Sequence, residues 1–380
     1  MEQIEYVLKI LAYIIFTILI YISAKKKYGK KIFQRNYTYN NGKIIREYNE
    51  TPVHFSKICI IFYAVLFGLY SIVVSVKPYA SDRGYYARAF GNVNYNYQLP
   101  KGYAFFTKIL YYISENPDFL FFAVSFFIII IVLLVYRKFE ISNPEGLLLL
   151  FTSLYFIYGF HLLKQGIAIA FGTVSIWYIL KKKKIGALFW GIIAVLFHES
   201  AFILIAVSLA LINSNKKWKR ITVYLISLTI VLSFSVFSAY FSDTIALLFP
   251  SFGIEMRDYF KNLNFSDSGL ATALKGMPVY IITAISMIKR KKISKTINNY
   301  DKYMILSVFT SITYILSSYM YWMYRFGLYS MFFVFMFFGE ILRKIDNNKE
   351  KTIYILVVYG ITAFLTIRYL SQMFFIYGGF

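Results

Sequence analysis

The sequence predicts an all-α polytopic membrane protein with about 12 transmembrane helices, and three observations predict it. The 380-residue chain is 59% hydrophobic and 21% aromatic, with a mean hydropathy of +0.58. Its apolar residues come in long blocks. Phe119 to Tyr136, for instance, carries no charge and makes enough helix to cross most of a hydrocarbon layer roughly 30 Å thick. Its basic residues collect in alternate connections between the blocks, as cytoplasmic loops do.

Hydropathy places the spans at 6–23, 55–76, 119–136, 145–161, 165–180, 185–197, 200–212, 221–241, 271–288, 303–322, 326–342 and 352–370. Met1 to Tyr6 has two Glu and no basic run, so no cleavable signal peptide is expected. Most of the 41 Lys and Arg then fall in Lys25–Arg46, Arg137-Lys138, Lys181–Lys184, Lys216–Arg220, Lys289–Lys302 and Arg343–Lys351. Twelve crossings put all six clusters on the cytoplasmic side and both termini outside. The net charge of +23 is thereby explained without nucleic acid. The single cysteine, Cys59, excludes an intramolecular disulfide and a cysteine metal cluster. Abundant Lys, Ile, Asn and Tyr reads as the product of an AT-rich bacterial genome.

Residues 1–380 form a single integral membrane domain with three sizeable loops. The cytoplasmic loop, 24–54, includes Tyr37–Ile45, where β-forming residues flank an Asn-Gly turn signal and predict a small hairpin. Its Asn49-Glu50-Thr51 sequon is accidental at a cytoplasmic position. The first extracytoplasmic loop, 77–118, holds an interfacial helix over Gly102–Ser114. The second spans 242–270.

The stretch from Ile185 to Ile212 is apolar except for His198-Glu199. A single tilted helix would place Lys181–Lys184 and Lys216–Arg220 on opposite faces. Two short segments joined by a hairpin keep both clusters inside and lift His198-Glu199 to the outer face, so the hairpin is preferred. An ionisable pair at membrane depth is a candidate site. With this threading Asp82, Arg83, Arg88, His161, Lys164, Gln165, His198, Glu199, Arg257, Asp258, Asp267 and Arg325 all map to the outer side or its edge.

Several kinds of chemistry find no support. "HESAF" has Phe202 where a zincin needs its second His, and P-loop, dinucleotide and metal-ligand patterns are absent from the sequence. No Gly-x-Ser-x-Gly elbow supports a serine nucleophile. What remains are cations and carboxylates at helix mouths. Lys164 and Gln165 start a helix, and a helix N-terminus with a cation is a phosphate site; the alternative is a lysine snorkelling to lipid. Arg325 is either an interfacial anchor or an anion ligand. His198 is either a packing histidine or part of a site with Glu199. Asp82-Arg83 opens the first outer loop as an ion pair or as ligands.

Together these segments resemble the EpsG family of Wzy-like exopolysaccharide polymerases. The resemblance rests on "SDRGYYARAF" (81–90) followed by "KGYAFF" (101–106), "KQGIA" (164–168), "FHESA" (197–201) and "YRFGLYSMFF" (324–333). Lys164 departs from the family pattern, which has Arg. Lys binds phosphate as a point charge without the bidentate fork. The resemblance implies a GT-C-like glycosyltransferase in the bacterial cytoplasmic membrane, with its active site facing outside and no metal or other cofactor. Donor and acceptor are undecaprenyl-diphosphate-linked oligosaccharides, and a flippase or chain-length regulator is an expected partner. Arg325, Lys164 and Arg83 would hold the diphosphate, and Gln165 and His161 would position substrate. His198, Glu199 and Asp82 are the candidates for moving the acceptor's proton. Competing readings are a ligase, another GT-C-type transferase, and a lipid-linked oligosaccharide flippase. A flippase should show charges along a path through the spans and two-fold repeats; neither is seen.

Overall fold

The protein is described by a computed structural model over residues 2–26, 35–40, 43–48, 57–73, 82–92, 99–138, 144–153, 162–212, 267–318 and 323–378. Its helices are α1 (Glu2–Lys26), α2 (Lys57–Val73), α3 (Asp82–Ala89), α4 (Lys101–Ile113), α5 (Pro117–Arg137), α6 (Pro144–Thr152), α7 (Leu163–Leu180) and α8 (Lys184–Phe197). A 3₁₀ turn, Glu199–Phe202, leads into α9 (Ile203–Ile212). Then come α10 (Asp267–Leu274), α11 (Met277–Ile288), the single turn α12 (Arg290–Ile293), α13 (Tyr300–Leu316), α14 (Tyr324–Arg343) and α15 (Asn348–Gly378). The expected hairpin is present as β1 (Arg35–Asn40) paired antiparallel to β2 (Lys43–Tyr48), in a register that sets Asn40 opposite Lys43.

Helix ends follow local chemistry. Before α5, Asn116 accepts from the Asp118 N–H at 2.9 Å and Pro117 opens the first turn, where its missing N–H costs nothing. Between α7 and α8 the left-handed Lys182 (φ 60°) ends the first helix, with the Lys183 N–H reaching the Tyr178 carbonyl at 2.8 Å. The span expected over 271–288 is not continuous. It breaks at Lys275-Gly276 because Pro278 lacks the N–H that a helix running on from α10 would need. Tyr280 instead donates to the Ala273 carbonyl, capping α10. The span expected over 221–241 and the loop before Asp267 lie outside the described residues.

Among the described residues, α5, α7, α14 and residues Asn348–Arg368 of α15 are long and apolar enough to cross a membrane; shorter apolar helices include α8, α11 and most of α2. The apolar stretch of α14 is 89% buried and that of α15 only 17%. Thus α14 is the core helix, with Phe332–Phe338 almost wholly enclosed, while α15 turns Ile353, Leu356, Phe364 and Ile367 outward. Exposed apolar helix surface of this kind belongs against lipid.

Contacts give the direction of each helix. α8 runs back along α7, since Phe171 stacks on Trp190 and Ser175 donates to the Ala187 carbonyl at 2.7 Å. After the 3₁₀ turn the chain reverses. Ser200 meets Gln165, and Leu204 then lies beside Gly172, one to two turns further down α7. The preferred hairpin is therefore present, although its two arms flank α7 instead of packing on each other. α14 runs parallel to α7, with Arg325 near Gln165 and Tyr329 near Gly172. Lys302 donates to the Ile179 carbonyl at 3.5 Å, Lys292 pairs with Asp346 at 2.7 Å and Lys289 pairs with Glu350. The clusters at Lys181–Lys184, Lys289–Lys302 and Arg343–Lys351 thus share one end of the bundle, and Lys164, His198 and Arg325 share the other.

Candidate functional site

Three chain turns build the site. α7 starts after Leu162, so Lys164 and Gln165 are the second and third residues of its first turn. α14 starts after Met323, which makes Arg325 the second residue of its first turn. Between them sits the reversal after α8. The extended backbone of His198 stops that helix, and its Nδ1 caps the 3₁₀ turn by accepting the Ser200 N–H at 3.1 Å.

Ser200 Oγ is the meeting point. It lies 2.8 Å from His198 Nδ1, 2.9 Å from Tyr329 Oη and 3.3 Å from Gln165 Nε2. Gln165 Nε2 also donates to the Arg325 carbonyl at 3.4 Å, which ties the start of α7 to the start of α14. Gln165 and Tyr329 are fully buried, and Gln165 Oε1 has no hydrogen-bond partner among the described residues. Lys164, His198, Glu199, Ser200 and Arg325 are half-buried. Burial, and then the charges of Lys164 and Arg325, push the His198 imidazole down to about 3. It is therefore neutral beside two cations.

The structure brings together Lys164, Gln165, His198 and Arg325 from the sequence-derived set, with Glu199 opening the 3₁₀ turn. Asp82 and Arg83 open α3, but their side chains lie outside the described part, as does His161 entirely. α3 and α4 are nonetheless tied to this end of the bundle. Tyr86 packs on Tyr103 with ring centroids 5.7 Å apart, and Phe106 meets Phe197 at 6.0 Å. A Cβ at Gly102 would stand 2.8 Å from the Leu196 carbonyl, two residues before His198. This close approach explains the glycine. Sequence reasoning missed Ser200 and Tyr329. Their signals were spacing alone: Ser200 two residues after His198, and Tyr329 one helical turn after Arg325.

No group of three or more His, Cys, Asp or Glu is placed to hold a metal among the described residues. The arrangement suits an anion: two helix N-termini, each with a cation in its first turn, face a neutral imidazole. Compared with known families, residues 57–377 match the model of the EpsG family. No curated protein and no solved structure matches the chain.

Proposed function

We propose, from the premise that the chain belongs to the EpsG family, that it joins lipid-linked oligosaccharide repeat units into polysaccharide. Membership points to a membrane polysaccharide polymerase. The finer reading is a GT-C-like fold of twelve crossings in one domain, set in a bacterial cytoplasmic membrane with Lys164, His198 and Arg325 on the outer side. Donor and acceptor are both undecaprenyl-diphosphate-linked.

One observation carries this reading: α7 and α14 each place a cation in the first turn, and both cations converge on the His198–Ser200 turn. A cation at a helix N-terminus opposes the dipole there, and a bound anion is favoured by the cation and by the helix end alike. The leaving diphosphate is such an anion. In the net reaction an acceptor hydroxyl oxygen bonds to the donor's anomeric carbon. The bond from that carbon to the diphosphate oxygen breaks, and its electron pair leaves with the diphosphate. Lys164 and Arg325, with Arg83 in support, stabilise the charge that develops. The hydroxyl proton passes to a base, for which His198, Glu199 and Asp82 are the sequence-derived candidates, while Gln165 and His161 help to position substrate.

The test is metal-free incubation of the purified protein in nanodiscs with the native lipid-linked repeat unit. A ladder of polymer lost in Arg325→Ala supports both the polymerase and the clamp. A ladder that persists keeps the activity and removes Arg325 from the clamp. No ladder from verified substrate turns the reading to a ligase or a flippase.

A further inference from the structure

The polar contacts around Ser200 restrict where each hydrogen can be. The Ser200 backbone N–H can only donate, so the His198 Nδ1 it meets at 3.1 Å must carry a lone pair. The Arg325 carbonyl can only accept, which turns the amide nitrogen of Gln165 toward it and makes that nitrogen a donor to Ser200 Oγ as well. With one lone pair so occupied, Ser200 Oγ has its own hydrogen for Nδ1 at 2.8 Å and a second lone pair for the Tyr329 hydroxyl at 2.9 Å. The Ser200 N–H and O–H then share the Nδ1 lone pair, and the Gln165 and Tyr329 donors share Ser200 Oγ. A neutral imidazole has one ring hydrogen, and Nδ1 cannot hold it, so it is on Nε2. That nitrogen makes no hydrogen bond among the described residues, and His198 is only half-buried.

We infer that His198 works as a neutral Nε2–H donor to a phosphate oxygen, with its tautomer held by the positioning residues Ser200, Gln165 and Tyr329, and that it is not the base. The inference rests on the proposed polymerase for the identity of the phosphate, but not for the tautomer. To accept a proton at Nε2, the ring would first have to place a hydrogen on Nδ1, directly against the Ser200 N–H. To become an imidazolium it would do the same beside Lys164 and Arg325. The charged and titratable groups around it are Lys164 from α7, Arg325 and Tyr329 from α14, and its neighbour Glu199; burial and the two cations oppose a positive ring. The acceptor's proton is left to a carboxylate, Glu199 or Asp82.

The full chain in nanodiscs, with ¹⁵N-labelled histidine, supplies a test that needs no activity. The chain has three histidines, and His198→Gln identifies the signal by its loss. The expected spectrum has an unprotonated Nδ1 and a protonated Nε2, with no titration between about pH 8 and 5. A protonated Nδ1, or a midpoint near the ordinary value of about 6.5, overturns the inference. Ser200→Ala is expected to admit the other tautomer and Ser200→Thr to retain the first; a spectrum indifferent to both removes Ser200 as the positioning residue. In the polymer assay His198→Gln, which keeps a neutral N–H donor, is expected to lose about tenfold, whereas a base would lose about 10²–10⁴-fold. If the wild type gives the expected spectrum but never makes polymer, the function is wrong and the tautomer stands.

Discussion

The two ends of the helix bundle place positive charge differently against the helix dipoles. At the end carrying Lys181–Lys184, cations meet partners supplied by the chain. Lys292 pairs with Asp346, Lys289 with Glu350 and Arg343 with Glu340, while Lys302 reaches the carbonyl of Ile179 near the C-terminus of α7. Each is favourable by itself, the last because a cation complements a helix C-terminus. At the other end Lys164 and Arg325 occupy the first turns of α7 and α14, where the helix dipole opposes them. The first end is explained by folding and topology. The second puts positive charge at helix N-termini, where a bound anion is favoured.

Deleting one cation from each end should break or support this contrast most sharply. Arg325→Ala is expected to lower polymer yield by about 10²–10³-fold, the range for removing a group that stabilises developing charge. Lys292→Ala, which removes an exposed ion pair, should leave the yield within about twofold. Equal losses, measured in the same nanodisc assay, would erase the distinction. Lys164 gives the next largest effect. Lys164→Ala is expected to cost about tenfold in the same assay, while Lys164→Arg keeps the charge and gains the bidentate fork. A larger loss in the arginine variant than in the alanine one would show that shape, not charge, matters at that position.

A packing change should reach the same network without touching a charge. A Cβ at Gly172 would lie 2.7 Å from the ring of Tyr329, which is fully buried and cannot swing aside into solvent. Gly172→Ala is expected to cost about 1–3 kcal/mol of stability, the range for overpacking. It should also displace the Tyr329 hydroxyl from Ser200. A lower melting temperature with unchanged polymer yield would separate packing from the site.

Much of this was legible in the sequence, for physical reasons. In lipid every backbone polar group must be satisfied within the segment, so apolar runs become helices, and α5, α7, α8 and α14 start within two residues of the expected spans. Asn41-Gly42 marked the β hairpin, and charge sidedness favoured the reversal at His198 over a single helix. The break at Gly276 is hidden from hydropathy because apolar residues continue on both sides of Lys275-Gly276; only Pro278 marks it. The site was legible only in part. Lys164, His198 and Arg325 stood out as polar residues in apolar surroundings, but their convergence joins residues up to 161 positions apart. Nothing local encodes that distance. Ser200 and Tyr329 were missed because one Tyr among 36 carries no signal until its partner is known.

The smallest and most selective effect should come from pH. The folded state holds His198 down to about 3, below its ordinary value of about 6.5. The folded form therefore binds this proton less readily than the unfolded chain. The stability it contributes is full above about pH 6.5 and is lost as pH falls towards 3. At the opposite end the hydrogen bond and charge of Lys292 hold Asp346 below the usual carboxylate range, so that pair survives until the solution is more acidic than about pH 4. Between about pH 6.5 and 4.5 the two ends should part. Amide hydrogen exchange, corrected for its intrinsic pH dependence, is expected to quicken at residues 163–168 and 198–204 while residues 289–302 and 343–350 stay unchanged. Uniform quickening, or quickening at the lysine-rich end first, would mean that the neutral imidazole is not what holds the His198 turn against α7 and α14.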